Sequence, residues 1–542
     1  MSLLLPAPRP ATTRPAAPRP AAPRPAATRL AAPKPAAPTP ATPSGGKHRS
    51  AADERNRVLR KAIVASAVGN ATEWYDYGVY AVVATYLTGA FFPDTLGNLG
   101  TMLGFAISFV LRPLGGMVWG PIGDRFGRKS VLVATVLLIA VATTLIGVLP
   151  TYATAGWWAP GLLIALRVVQ GFSTGGEYGG AATFMAESAP DAKRGTYGSF
   201  LEFGAVAGFV FGSAVVLALE AMFTHEQMVA WGWRIPFLLA LPLGVVGLVL
   251  RSRMEETPVF TECVACEEIT GSAWERLVDL LTNYTRPILV TFALFVVLNI
   301  IDYTLVTYQP TYLHATAGLD ERSRTTVVLI GQLATMACIP FAGAWSDRVG
   351  RKPLWRASLL GFAVLALPMY WLMGHGFAFA LVGFTVLSVL FAAPLATVSA
   401  TFPALFPTQV RYAGFAIADN AAVAVFGGTA PVLADSVIER TGWQLFPAAY
   451  LVFAALIGLV VLRFLPETLG YSLRGTGVPG VPGELERELS VLTAEESARA
   501  RRNPAFDEVW AVDKYLRPRQ RTPAGYRGVP QLAGVSGPRI RV

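Results

Sequence analysis

Cysteine is nearly absent. Three occur in 542 residues, too few for a disulfide scaffold. Charge is scarce too: Asp, Glu, Lys and Arg make up 15% of the chain, where soluble domains run near a quarter. That argues against a water-soluble enzyme of this length. Residues 1–50 have no acid but eight Lys or Arg, so the formal charge of +10 leaves only +2 for the other 492 residues. A basic balance confined to one arm gives no ground for nucleic-acid binding. The sequence also lacks a phosphate-binding loop, a catalytic triad and a metal constellation. Cys263 and Cys266 have metal-like spacing, but no second pair or nearby histidine completes a site. The expectation is a non-enzyme with no metal and no cofactor.

What the arm does have is proline, thirteen of the chain's forty in the first 46 residues, with a basic residue every fifth position from Arg9 to Lys34. Such a segment has little to bury and reads as a disordered, partly polyproline arm. It lacks the apolar core of a secretory signal. It reads as a solvated linker or a start codon placed too early, or, in a sharper reading, as a basic arm on anionic lipid.

Long apolar runs follow. A membrane span needs about 20 apolar residues, and twelve candidates occur at 62–90, 99–121, 130–150, 158–188, 197–220, 233–251, 287–313, 325–345, 354–373, 377–403, 410–435 and 445–465. Alternate loops carry the bases: Arg125, Arg128 and Lys129; Lys193 and Arg194; Arg251 and Arg253; Arg348, Arg351 and Lys352; Arg411. By the positive-inside rule both termini are cytoplasmic. Trp157, Trp158, Trp231 and Trp233 fall where an interfacial aromatic belt would lie.

The chain repeats itself. Gly120-Pro-Ile-Gly-Asp-Arg-Phe-Gly-Arg-Lys129 returns as Gly343-Ala-Trp-Ser-Asp-Arg-Val-Gly-Arg-Lys352, which fits two parallel six-span halves. The expected organisation is a cytoplasmic arm at 1–57, a first half at 58–251, a cytoplasmic linker loop at 252–286, a second half at 287–466 and a mostly disordered cytoplasmic tail at 467–542. A short helix is expected in that tail around Leu485, Leu489 and Leu492.

The Gly-x-x-x-Asp-Arg-x-Gly-Arg-Lys signature and its copy resemble the major facilitator superfamily. Gly69-Asn-Ala-Thr-Glu-Trp-Tyr-Asp-Tyr77, Arg112-Pro-Leu-Gly-Gly116, Gln170-Gly-Phe-Ser-Thr-Gly-Gly-Glu-Tyr178, Trp231-Gly-Trp-Arg-Ile-Pro-Phe237 and Glu255-Glu-Thr-Pro258 narrow the likeness to the metabolite:proton symporter family. Gly198–Gly212 and Phe406–Tyr412 are most similar to the proline/glycine betaine transporters. The resemblance implies an all-α membrane protein of twelve helices in the cell membrane. It implies proton-coupled symport of a small zwitterionic osmolyte by alternating access, with the proton as coupling ion and no obligate protein partner. Relatives with nearly the same motifs carry oxoglutarate, citrate or shikimate, so an organic acid is the alternative substrate. A non-transporting membrane sensor on the same scaffold is a further alternative. By the same resemblance the repeated motif (Gly120, Asp124, Arg125, Gly127, Arg128 and Lys129, with Asp347, Arg348, Gly350 and Arg351) gates the inner side without touching substrate. Its glycines would permit a tight turn, its acids could face a helix N-terminus or an arginine, and its bases could meet lipid phosphates or nearby acids.

An ionisable group at membrane depth costs at least about 2.5–3.5 kcal/mol on insertion scales, so each needs a partner or water. Glu73 and Asp76 share one helical face, and both are expected to line the cavity. Arg167, Gln170, Thr174 and Glu177 form one polar stripe, spaced 3, 4 and 3. Arg112, Glu202, Asp302, Asp419 and Asn420 complete the set. Low dielectric favours the neutral form of a carboxyl, which makes Glu73, Asp76 or Glu177 candidate proton carriers. Arg112 and Arg167 stay charged and can pair with a protein or a substrate carboxylate. Arg167 and Glu177 lie about 15 Å apart along one helix, so Arg167 is expected to reach Glu73 or Asp76. Glu177 is expected deeper, or across the cavity. Trp74 and Tyr75 could form a cation–π site for a quaternary ammonium.

Overall fold

The computed structural model describes residues 51–93, 97–265 and 273–473. The arm at 1–50, Cys266 and the tail beyond residue 473 lie outside the described residues. Among the described residues, twelve long helices form the body: α1 Ala51–Phe91, α2 Gly97–Phe126, α3 Arg128–Val148, α4 Trp158–Ser188, α5 Arg194–Met222, α6 Arg234–Ser252, α7 Thr285–Asp302, α8 Glu321–Val349, α9 Arg351–Met373, α10 Phe377–Leu395, α11 Arg411–Ala422 and α12 Phe446–Val461. Eight of the helical runs are long and apolar enough to cross a membrane by length and composition, and α12 is a shorter apolar helix. Helices α1 and α4 carry Glu73, Asp76, Arg167 and Glu177 in mid-helix.

Several boundaries differ from expectation. Helix α1 starts at Ala51, inside the segment expected to be a disordered arm. The expected linker loop contains two helices, Pro258–Ala265 and Ala273–Asn283. The tail is not free from its first residue, since Thr468 and Leu473 are buried. Helices α7 and α11 each run into a π-helical turn, Tyr303–Thr307 and Val423–Gly427. The motif loops shrink to single glycines: Gly127 at φ 98° and Gly350 at φ 101° join α2 to α3 and α8 to α9. A side chain there would be strained.

Packing repeats between the halves. Helix α1 packs on α5, α2 on α4 and α3 on α6; α7 packs on α11, α8 on α10 and α9 on α12. The halves meet where α2 packs on α11 and α5 on α8. Small residues allow the close approaches. A Cβ on Gly175 would stand 2.2 Å from the Arg112 carbonyl, and one on Gly120 would stand 2.7 Å from the Ala413 Cα. Gly175 is thus a packing residue of α2 on α4, as glycines are in membrane helices.

Candidate functional site: a cavity between two halves, shut on one side

The two motif copies close the side on which they lie. Asp124 accepts backbone N–H bonds from Tyr412 (3.2 Å) and Ala413 (2.9 Å), in the first turn of α11. Asp347 accepts from the backbone N–H groups of Gly195 (2.8 Å) and Thr196 (2.7 Å), in the first turn of α5. Each motif therefore places a carboxylate on the positive end of a helix in the other half. The halves cannot separate here without breaking those bonds.

The motif bases do not face lipid as a group. Arg128 and Arg351 are buried, as are Arg194, Arg251 and Arg411 from the other basic loops, while Arg125 and Arg348 are exposed. Arg128 donates to Glu187 (3.2 Å) and to the Thr408 carbonyl (2.8 Å). Glu187 also accepts from Arg411 (2.7 Å) and from the Thr257 hydroxyl (2.5 Å). In the second copy Arg351 pairs with Asp347 (2.6 Å). Glu256 accepts from the Lys129 backbone, and Glu467 from the Arg351 and Lys352 backbones. The segment after α12 joins this closure: Arg194 donates to the Tyr471 carbonyl and Arg411 to that of Leu473. Sequence reasoning missed Glu187. The available signal was an acid ending an apolar helix in a chain whose loops carry arginine.

From mid-depth toward the opposite side lies a cavity of ≈ 540 Å³, within the usual range for small-molecule sites. Its wall takes Trp74 and Tyr77 from α1, Phe109 and Arg112 from α2, Tyr178 from α4, Glu202 from α5, Asp302 from α7, Tyr303 from the π-helical turn after it, Arg324 from α8, and Asp419 from α11. Arg324 begins α8, and Asp347 of the motif ends that helix, so the cavity extends toward the side away from the motifs.

The expected site residues separate into groups. Arg112 lines the cavity and bonds Glu73 behind it at 3.1 Å, with Tyr77 and Phe109 beside its guanidinium. Arg167 pairs with Asp76 at 3.0 Å and lies over the Tyr80 ring. Gln170 donates to the Thr143 hydroxyl (2.7 Å). Glu73, Asp76, Arg167 and Gln170 are all buried, and none of them is part of the cavity wall, contrary to the expectation of two cavity-facing acids on α1.

Glu177 pairs with Arg251 and accepts from the Thr135 hydroxyl, among α3, α4 and α6. It therefore joins helices inside the first half and does not face the cavity. Arg251, read from the sequence as a loop base, is fully buried. Its guanidinium lies against Gly69, where a Cβ would stand 2.0 Å away. Asn420 donates to the Gly175 carbonyl (2.7 Å) and so also joins helices. Tyr75 donates to the Pro236 carbonyl and packs on Phe211, so only Trp74 of the expected aromatic pair reaches the cavity. Trp233 is fully buried, unlike exposed Trp157, Trp158 and Trp231, and does not belong to an interfacial belt.

Glu202 accepts from the Tyr178 hydroxyl at 2.7 Å. Asp302 and Asp419 also face the cavity. Asp302 ends the regular part of α7, at the start of its π-helical turn, while Asp419 is 3% exposed within α11.

Two six-helix halves, locked together on one side and enclosing toward the other a cavity with charged side chains in its wall, define a multi-pass membrane transporter of small molecules. The family described as "Sugar (and other) transporter" matches residues 61–270 and 265–477, and the chain belongs to that family, within the major facilitator superfamily. The Ectoine/proline transporter ProP of Corynebacterium glutamicum is 39% identical over 447 residues, 79% of this chain and 89% of that protein. The Glycine betaine/proline/ectoine/pipecolic acid transporter OusA of Dickeya dadantii is 38% identical over 429 residues, 77% of this chain and 85% of that protein. The proton:xylose symporter XylE of E. coli superposes with a TM-score of 0.64 at 18% identity, over 77% of this chain and 98% of that one, a likeness of fold.

Proposed function

We propose that this transporter is a proton-coupled symporter of a small zwitterionic osmolyte, of the proline or glycine betaine kind, working by alternating access. The observation that carries the reading is Arg112, which lines the cavity while bonded to Glu73 behind it. A substrate carboxylate arriving on Arg112 competes with Glu73 for the guanidinium. A Glu73 released from its cation at this depth is held at lower cost protonated than ionised. Substrate and proton then occupy the protein together. Asp76, paired with Arg167 one turn along the same helix, is the second candidate carrier. Trp74 adds a buried indole N–H with no hydrogen-bond partner among the described residues, a ready donor to a carboxylate.

The osmolytes named for both curated relatives support the substrate class. The motif side is the cytoplasmic one, with both termini there and the protein in the cell membrane. The cavity then faces outward, and inward opening requires Asp124 and Asp347 to leave their helix ends.

Uptake into proteoliposomes tests this. An imposed acid-outside gradient should drive accumulation of labelled proline or glycine betaine. Accumulation of oxoglutarate, citrate or shikimate instead would make Arg112 the binder of an organic acid. Absence of flux for every compound in the panel would sink the transport reading.

A further inference from the structure

The cavity wall holds more acid than the proposed cycle uses. Asp419 is 97% buried by its 3% exposure, faces the cavity, and has no hydrogen bond or ion pair among the described residues. Asp302 likewise has no such partner. Among the described residues Glu202 has only the Tyr178 hydroxyl, and it lies within the fields of both aspartates. Carboxylates gathered in low dielectric repel one another, and a buried charge needs a compensating one. Arg112 compensates only in part: its ion pair is with Glu73, and it acts on Asp419 from beyond ion-pair distance.

A second observation falls at the same place. The π-helical turns Tyr303–Thr307 and Val423–Gly427 follow Asp302 directly and Asp419 within one turn, and both contribute residues to the cavity wall. Such turns are frequent at functional sites. Tyr178 and Tyr303 put aromatic rings beside the acids, the surface that a methylated or ring ammonium prefers.

The geometry points to an ammonium subsite formed by Asp419, Asp302 and Glu202 with Tyr178 and Tyr303, facing Arg112, so that a zwitterion binds in one orientation with its cationic end on the acids. The inference rests on the zwitterion reading above and adds the residues that reject plain carboxylates. An anion of the same shape but without the nitrogen charge would meet Arg112 correctly and leave the acids uncompensated. Matched to Arg112 alone, such an anion would bind as well as the zwitterion.

Equilibrium binding to the purified full-length protein decides it, with two isosteric pairs: glycine betaine against 3,3-dimethylbutyrate, and proline against cyclopentanecarboxylate. Tetramethylammonium serves as the cation without a carboxylate. The unmodified protein should prefer the zwitterion of at least one pair by about tenfold or more, equivalent to about 1.4 kcal/mol. It should also bind tetramethylammonium. Asp419→Asn should cut that preference about tenfold and abolish tetramethylammonium binding. Asp302→Asn should move both in the same direction and carries the test if Asp419→Asn does not purify as a monodisperse protein.

Equal binding within both pairs by the unmodified protein overturns the subsite, the acids then being neutral. An unchanged preference in both variants overturns it too, and leaves the zwitterion reading standing. Binding of tetramethylammonium that depends on Asp419, with neither zwitterion bound, keeps the subsite and removes the zwitterion reading. Binding of none of the five probes removes both.

Discussion

The two halves share a helix order and a packing scheme but treat their mid-helix acids in opposite ways. In the first half Glu73 meets Arg112, Asp76 meets Arg167 and Glu177 meets Arg251, each pair within that half. In the second half Asp302 and Asp419 have no cation within ion-pair distance among the described residues and face the cavity. Glu202 on α5 belongs to the first half by sequence but resembles the second half in its surroundings. A duplicated scaffold can therefore divide labour: one half supplies exchangeable ion pairs, and the other supplies charge that a ligand completes. The closing motifs stay symmetric by contrast, since Asp124 and Asp347 each hold a helix end of the opposite half.

The largest effect should come from breaking a first-half pair that is remote from the cavity. Arg251→Ala leaves Glu177 buried without its cation, and removal of one partner of a buried pair costs about 3–5 kcal/mol. Thermal unfolding of the purified protein in detergent should show that loss, and adding Glu177→Gln should restore part of it. A single variant as stable as the parent would mean that the pair does not hold α6 to α4. The pair at the cavity wall should report on coupling instead. Glu73→Gln should abolish accumulation driven by an acid-outside gradient while exchange of labelled against unlabelled substrate continues, because exchange needs no net proton movement. Accumulation with ordinary pH dependence in both Glu73→Gln and Asp76→Asn would make α1 structural and move the proton carrier to Glu202 or Asp302.

The symmetric part of the comparison predicts a smaller, kinetic effect. Asp124→Asn keeps the shape but weakens the bonds to the α11 N-terminus, worth up to about 2 kcal/mol, and the ion pair of this buried carboxylate with Arg128, which keeps Glu187 as its other acid. The transport rate should fall roughly tenfold with little change in apparent affinity, the signature of a step other than binding. An intact rate with a large loss of affinity would contradict a gating role.

Much of the fold was legible in the chain. The apolar runs located the helices because a span needs length and hydrophobicity, and the repeated Asp-Arg-x-Gly-Arg motif exposed the duplication. The acid on a helix end was legible too, but which helix was not, since Tyr412 and Gly195 are far from the motifs in sequence. The site was less legible. Periodicity put Glu73 and Asp76 on one face, but could not say whether that face met the cavity or the neighbouring helices. Arg251 looked like a loop base because it follows an apolar run; the notch that admits it is made by Gly69 on another helix. Trp233 looked interfacial for the same reason, and the ring of Phe91 that covers it comes from α1. Local pattern fixes depth along a helix, whereas the direction of a side chain depends on partners that the pattern does not contain.

The smallest expected effect separates the halves most sharply. Asp302→Asn removes a charge that has no hydrogen bond or ion pair among the described residues and that acts on Glu202. The amide has nearly the same shape, so packing around α7 is preserved, and no buried cation is orphaned. The two terms that made Arg251→Ala costly are therefore both absent. What remains is relief of like-charge repulsion and of the cost of desolvating the charge, and both favour the variant. The net change should stay within about 1 kcal/mol, the scale of substitutions that break no packing and no pair, with its sign toward greater stability at low salt. The same unfolding scan used for Arg251→Ala measures it, run at two salt concentrations because repulsion between solvent-facing charges is screened. A loss as large as that of Arg251→Ala would show that Asp302 has a structural cation after all. The contrast between a paired first half and an unpaired second half would then fail at that residue.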